Sequence, residues 1–121
     1  MSYYYLGSPY SKYPEGRAMA CVEACRNAAL LIRSGIPVFS PIAHSHAVAE
    51  YGQIDPDDHG IWLPLDRRMM AAAGGLIVLQ LAQWWTSYGL TTEIDEFHSI
   101  GKPIVYMIPG TVPEVLKQEG R

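Results

Sequence analysis

A chain of 121 residues, 49% hydrophobic and 17% charged, is long enough for one domain with its own core and too apolar to be disordered. Its formal net charge of −3, with no basic cluster, argues against a nucleic-acid polymer as partner. The stretch Met1–Leu6 lacks the basic start and long apolar run of a leader or a membrane span, so no membrane partner is expected, and the two cysteines, Cys21 and Cys25, read as unpaired thiols of a reducing compartment, which makes the expectation a cytoplasmic protein.

Tyr3-Tyr4-Tyr5-Leu6 reads as a short strand ended by Gly7-Ser8-Pro9. Tyr10–Tyr13 reads as a loop, and Pro14 suits the first position of a helix that runs to about Ser34 and stops at Gly35. Ala18, Cys21, Val22, Cys25, Ala28, Ala29 and Ile32 recur there at helical spacing, which predicts buried, unpaired thiols on a core face. Ile36–Ser40 is the second strand; Pro37 either puts it at a sheet edge or marks its start. His44–Tyr51 reads as a short helix or loop and Gly52–Gly60 as a polar, acidic connection. Ile61–Ala73 is helical, with Trp62, Leu65, Met69 and Met70 on or near one face. A strand over Gly74–Leu81, a helix carrying Glu93, a strand over Lys102–Met107 and a helix from about Val112 to Gln118 complete the chain. The order βαβαβαβα predicts an α/β fold, a single domain over 1–121: a mostly parallel sheet of four to five strands, covered by helices on both faces, with right-handed crossovers.

In such a sheet the carboxyl ends of the strands share one rim, where ligands bind. That rim would carry Gly7-Ser8-Pro9-Tyr10, Ser40 to His44, Gln83 to Glu93, and Ile108-Pro109-Gly110. Backbone amides at such turns favour an anion such as a phosphate. No G-x-G-x-x-G or G-x-x-x-x-G-K-[ST] is present, which argues against dinucleotide and P-loop chemistry.

Glu93 falls in the first turn of the helix after the third strand, where it either complements the helix dipole or faces a ligand. Glu96 would lie near the same face and Asp95 in solvent. Asp66, followed by Arg67 and Arg68, is either part of a surface charge cluster or projects across the rim towards Glu93. Paired carboxylates can divide labour, one meeting a cationic carbon while the other protonates the leaving group. His44 and His46 would need His59 or Asp57 to hold a metal, and their spacing matches no zinc signature; contact with substrate hydroxyls or phosphate, or a structural role, are the other readings. Ser8, Ser40 and Ser87 lie on the rim, but none sits in the G-x-S-x-G of a serine esterase. Trp84 and Trp85 would wall a pocket or a subunit contact, and Trp62 and Tyr88 offer further stacking faces.

Three segments together resemble the nucleoside 2-deoxyribosyltransferase superfamily, including its small uncharacterised branches. They are Tyr5-Leu6-Gly7-Ser8-Pro9-Tyr10; Asp66 ahead of the apolar strand Leu76–Leu81; and Gly89-Leu90-Thr91-Thr92-Glu93-Ile94 followed by Gly101-Lys102-Pro103-Ile104. The resemblance implies a flavodoxin-like (Rossmann-like) three-layer αβα sandwich and cleavage of the N-glycosidic bond of a nucleoside or nucleoside 5′-monophosphate, by hydrolysis or transfer. It implies Glu93 as the nucleophile on the anomeric carbon, Asp66 as the group that binds and protonates the base, and Tyr5 as the residue that orients Glu93. Gly7 and Ser8, with Pro9 in the same loop, would admit sugar or base, and Ser87 and Gly89 would contact the 5′ end; the rim reading adds Ser40 and His44. Many transferases carry an acidic residue where this chain has Ser87, and the serine is better matched to nucleotide-hydrolysing relatives. The chemistry needs no cofactor and no metal. The resemblance also implies a homo-oligomer, a dimer or tetramer. The competing reading is a non-catalytic module that binds a nucleotide or nucleotide sugar on the same rim; a structural subunit without a small-molecule site is the third.

Overall fold

The computed structural model describes residues 2–119. Its elements are β1 (Tyr4–Gly7), α1 (Arg17–Arg33), β2 (Val38–Phe39), α2 (Pro41–Gly52), α3 (His59–Ala72), β3 (Gly75–Leu79), a 3-10 turn (Trp84–Thr86), α4 (Tyr88–Ser99), β4 (Ile104–Met107) and α5 (Glu114–Glu119). The four strands pair in parallel in the order β2-β1-β3-β4. This is the α/β sandwich expected, with four strands. The chain leaves β1 towards β2 on one side and reaches β3 on the other. The loops after β1 and β3 therefore diverge, and a crevice opens at the carboxyl ends of these two strands.

Strand alternation sorts the core into two layers. Leu6, Ile77, Leu79 and Met107 pack with Ala20, Ala28 and Leu31 of α1 and Leu116 of α5. Tyr5, Leu76 and Val78 face the other way, against Met70 of α3 and Leu90 and Phe97 of α4. All five residues of β3 are buried, as a central parallel strand requires. β2 is a two-residue edge strand, and Pro37 lies just before it, its carbonyl accepting from Tyr4 N at 2.9 Å.

Three expectations need correction. α1 starts at Arg17 and not at Pro14: Tyr13 N bonds Tyr10 O (3.2 Å), Gly16 N bonds Tyr13 O (3.0 Å), and Gly16 has φ 94°. Those consecutive turns carry the chain round the crevice before any helix can begin. The buried face of α1 is Ala20, Ala24, Asn27, Ala28 and Leu31; Cys21 is only partly buried, Cys25 is exposed, and Val22 and Ile32 face outward. Alanines let the helix approach the sheet closely, and this outweighs the hydropathy of the stripe beside them. Both thiols are free. Finally, α2 is a full helix from Pro41, because Ser40 caps it: its Oγ accepts from Ala43 N at 3.1 Å, and Pro41 occupies the first position.

The Gly101-Lys102-Pro103 segment secures α3. Gly101, with φ 72°, lets the chain turn after α4. Lys102 Nζ then donates to the carbonyls of Ala71 and Ala73, each at 2.6 Å. Ser2 Oγ donates to Ala72 O (2.7 Å) and Tyr3 Oη to Met69 O (2.5 Å). The end of α3 thus has four carbonyls satisfied by the neighbouring chain, two of them facing a cation where the helix dipole is negative. Pro103 O accepts from Leu76 N at 2.9 Å, and a Cβ on Gly75 would meet that oxygen at 2.9 Å, so only glycine fits there. Replacing Lys102 by Met keeps the stem and removes both charged hydrogen bonds. We expect Lys102→Met to lower stability by about 1–3 kcal/mol, read as a lower urea midpoint with an unchanged slope.

Candidate active site

At the crevice between β1 and β3 lies a cavity of about 310 Å³, at the small end of the range for ligand sites. Its wall is built from five places in the chain: Ser8 and Tyr10 after β1, Ile42 and Ser45 on α2, Pro56 and Asp57 in the loop before α3, Trp62 and Asp66 on α3, and α4, where Ser87 is the cap and Glu93 lies in the second turn, not in the first as expected, because the helix already begins at Tyr88.

Glu93 is fixed from beneath. Tyr5 is fully buried in the sheet, and its hydroxyl donates to Glu93 Oε2 at 2.7 Å. The other carboxylate oxygen, Oε1, lies over Gly7, where an added Cβ would come within 2.9 Å of it and 2.8 Å of Leu90 Cδ1. Tyr5 and Gly7 point to the same face because they are two apart on one strand. One supplies the hydrogen bond and the other the space. Burial pushes the Glu93 carboxyl up to about 8; the Tyr5 hydrogen bond opposes this and the charge of Asp66 adds to it. Burial and the two nearby carboxylates also hold the Tyr5 phenol well above its ordinary range, so it stays a donor.

Asp66 enters from the middle of α3. Trp62 lies one turn before it and His59 one turn before that, so His59, Trp62 and Asp66 form one stripe on the cavity wall. Burial raises the Asp66 carboxyl to about 6, against the pull of His44. Trp62 is held by its Nε1–H, which donates to Asp55 O at 2.9 Å.

Ser87 caps α4, its Oγ accepting from Leu90 N at 3.2 Å. Tyr88 and Gly89 then carry the first helical amides, which have no intrahelical acceptor. The Ser8 hydroxyl is buried and has no hydrogen-bond partner among the described residues. On the far rim, Ser11 Oγ donates to Asp57 Oδ1 (2.8 Å), and Arg17 pairs with the other oxygen of Asp57. This holds Asp57 below its ordinary range and ties the α2–α3 loop to the loop after β1.

Of the residues expected at the site, Glu93, Asp66, Ser8, Ser87 and Gly89 line the cavity, while Tyr5 and Gly7 support Glu93 from below. Pro9, Ser40 and His44 do not line it. Pro9 is buried in the turn after β1, Ser40 spends its hydroxyl on capping α2, and His44 is exposed, its ring 6.1 Å from that of Phe39. Glu96 does not share the site either; Arg67 lies 3.6 Å from its carboxylate. Nor do Trp84 and Trp85 wall it: Trp84 packs on Tyr106 at 5.7 Å and on Trp85 at 6.1 Å, away from the cavity. The loop after β4 does not reach it.

Ile42 falls within the rim segment expected from the sequence; Ser45 and Ala49 do not, and their signal is the Ser40-Pro41 helix start, which sets all three on one face of α2. Lys12 and Ser11 were missed without any such signal, since their place depends on where the loop folds. Among the described residues no cluster of three or more His, Cys, Asp or Glu side chains is arranged to hold a metal ion, and no helix is long and apolar enough to cross a membrane.

The fold and site define a parallel α/β domain with a pair of raised-pKa carboxylates in the crevice at its switch point. Residues 2–108 match the family described as a domain of unknown function (DUF1937), and the chain belongs to that family. No curated protein matches it.

Glu93 leaves a signature in stability. Below pH 4.5 the carboxyl is protonated in both folded and unfolded chains; between that ordinary value and about 8 only the folded chain keeps its proton. Folding is therefore most favoured at the acid end of this window and loses stability as pH rises through it, by an amount on the order of a few kcal/mol. Asp66 adds a smaller loss of the same sign between 3.8 and about 6. In Glu93→Gln the decline between pH 6 and 8 should largely disappear, as measured by denaturant unfolding at several pH values.

Proposed function

We propose that the chain cleaves the N-glycosidic bond of a nucleoside or nucleoside 5′-monophosphate, by hydrolysis or by transfer to a second base. What carries this reading is that Asp66 and Glu93, 27 positions apart in the sequence and on different helices, line one cavity, with Glu93 anchored by the Tyr5 hydroxyl.

The reaction asks for two things. Positive charge develops on the sugar as the C1′–N bond breaks, and the base leaves with the bonding electron pair. Glu93 answers the first: its carboxylate oxygen bonds to C1′ as the base departs, giving a glycosyl ester that water or a second base then resolves. Asp66 answers the second, giving its proton to the departing nitrogen. The indole of Trp62 offers a face to the base. The unpartnered Ser8 hydroxyl and the first amides of α4 suit the 5′ end of the sugar or its phosphate. No step calls for a metal or an organic cofactor.

Charge decides the pH range. With values of about 6 and about 8, the two carboxyls together hold one proton near neutrality. At rest that proton sits on Glu93; the working form is the reverse arrangement, with the proton on Asp66 and Glu93 ionised, which the growing positive charge at C1′ favours. The two values belong to the pair.

A cytoplasmic homo-oligomer, dimer or tetramer, belongs to the same proposal. Tyr106 and Ile108, 48% and 67% exposed at the edge strand β4, are apolar surface such an assembly would cover.

Incubating the folded protein with a panel of nucleosides and their 5′-monophosphates should release free base. Absence of release from every member, with binding retained, would favour a non-catalytic binding module. Glu93→Ala should lower kcat by a thousandfold or more, roughly the scale seen when a nucleophile is removed, and Asp66→Asn by about 10²–10⁴. The rate should follow a bell-shaped pH profile with limbs near 6 and 8, measured as kcat/KM on the best substrate.

A further inference from the structure

The reaction above leaves unused the second histidine of α2, which is drawn inward. Tyr10 Oη and His46 Nδ1 are 2.7 Å apart, and their rings meet edge-on at 5.8 Å. His46 Nε2 lies 3.7 Å from a carboxylate oxygen of Glu50, one helical turn on. Arg17, paired with Asp57, sits 5.7 Å from the centre of the Tyr10 ring and steadies it. Tyr10 lines the cavity; His46 stands behind it.

The direction of the Tyr10–His46 hydrogen bond follows from Glu50. A carboxylate beside Nε2 favours the tautomer with its proton on Nε2, which leaves Nδ1 as an acceptor. Nδ1 then accepts a hydrogen bond from the phenol O–H, and burial keeps that phenol protonated. With its only hydrogen given to His46, Tyr10 Oη has lone pairs alone to offer the cavity.

We propose that Tyr10, set by His46 and Glu50, is a specificity-determining residue that accepts a hydrogen bond from an amino group on the nucleobase, so that amino-bearing bases are preferred over their oxo counterparts. This rests on the reading that the cavity takes a nucleoside or nucleotide. The apolar faces of the cavity come from Trp62 on α3 and from Pro41, Ile42 and Ala49 on α2, which suit a flat ring. A base lying against them turns an edge towards the loop after β1, where Tyr10 is. An oxo group on that edge meets lone pairs with lone pairs. To accommodate it, Tyr10 must withdraw its proton from His46, leaving Nδ1 unpaired, or His46 must shift its own proton away from Glu50. Either change loses one hydrogen bond, which corresponds to about tenfold in affinity.

The test uses the full chain and two matched pairs of ligands, adenosine with inosine and cytidine with uridine, each with its 5′-monophosphate. Binding is measured by calorimetry on Glu93→Gln, which stops turnover, and cleavage on the unmodified chain. The amino member of at least one pair should bind tenfold or more tightly, roughly the loss of one hydrogen bond. Adding Tyr10→Phe should bring the two members of that pair close to equality. Nitrogen chemical shifts of His46 in the ligand-free protein should report a proton on Nε2 and none on Nδ1; this readout does not depend on any variant folding. Equal or reversed preference, a preference unchanged in folded Tyr10→Phe, or a proton on Nδ1 would overturn the proposal. Amino preference in binding without base release would support the role of Tyr10 and count against the glycosidase reading. Base release without amino preference would do the opposite, and failure of every ligand to bind would sink both.

Discussion

A phenol hydroxyl with no water and a carboxylate with little have each found the other at the bottom of the crevice, and much of the site follows from that contact. Tyr5 lies in β1 with its ring in the core, so its hydroxyl must be satisfied inside the protein or cost free energy on the order of a lost hydrogen bond. Glu93 supplies the acceptor at 2.7 Å. The carboxylate can come that close only because Gly7, two residues along the same strand, has no side chain to obstruct it. Strand periodicity thus places the donor and the gap on the same face.

The position of the second carboxylate depends on a different set of bonds. Asp66 belongs to α3, which reaches the cavity only if its far end is held. The last turn of α3 is gripped by Lys102, Ser2 and Tyr3, which fixes the helix relative to β1 and β4. The glycine-lysine-proline segment of the family resemblance therefore has a mechanical explanation: Gly101 turns the chain, Lys102 holds α3, and Pro103 completes the bonding at the start of β3.

The remaining walls are polar ties between segments. Arg17, Ser11 and Asp57 join the loop after β1 to the loop before α3, and Tyr10 and His46 join the same loop to α2. Together they fix the loop after β1 in a stretch that has no regular secondary structure of its own. Ser8, whose hydroxyl has no partner among the described residues, and Tyr10 line the cavity from this loop.

The sequence by itself determined the α/β class, the succession of strands and helices along the chain and the helix that carries Glu93, because these depend on local periodicity, glycine and proline placement, and the apolar run of β3; the order of the strands within the sheet came from the tertiary structure. It also made Ser8, Ser87, Gly89 and Glu93 candidates, since they follow strand ends where local signals are strong, and Asp66 through the resemblance and its place in the helix before β3. Only the tertiary structure decided which face of α1 is buried, because close approach of small residues to the sheet outranked hydropathy along the helix. It alone gave Ser40 to helix capping, Glu96 to the neighbourhood of Arg67, and Trp84 to packing on Tyr106. The His46–Tyr10 contact joins residues 36 apart, and the Asp57–Arg17 pair joins residues 40 apart. Such pairings depend on how loops and helices pack across the crevice, and no local pattern in the chain encodes that.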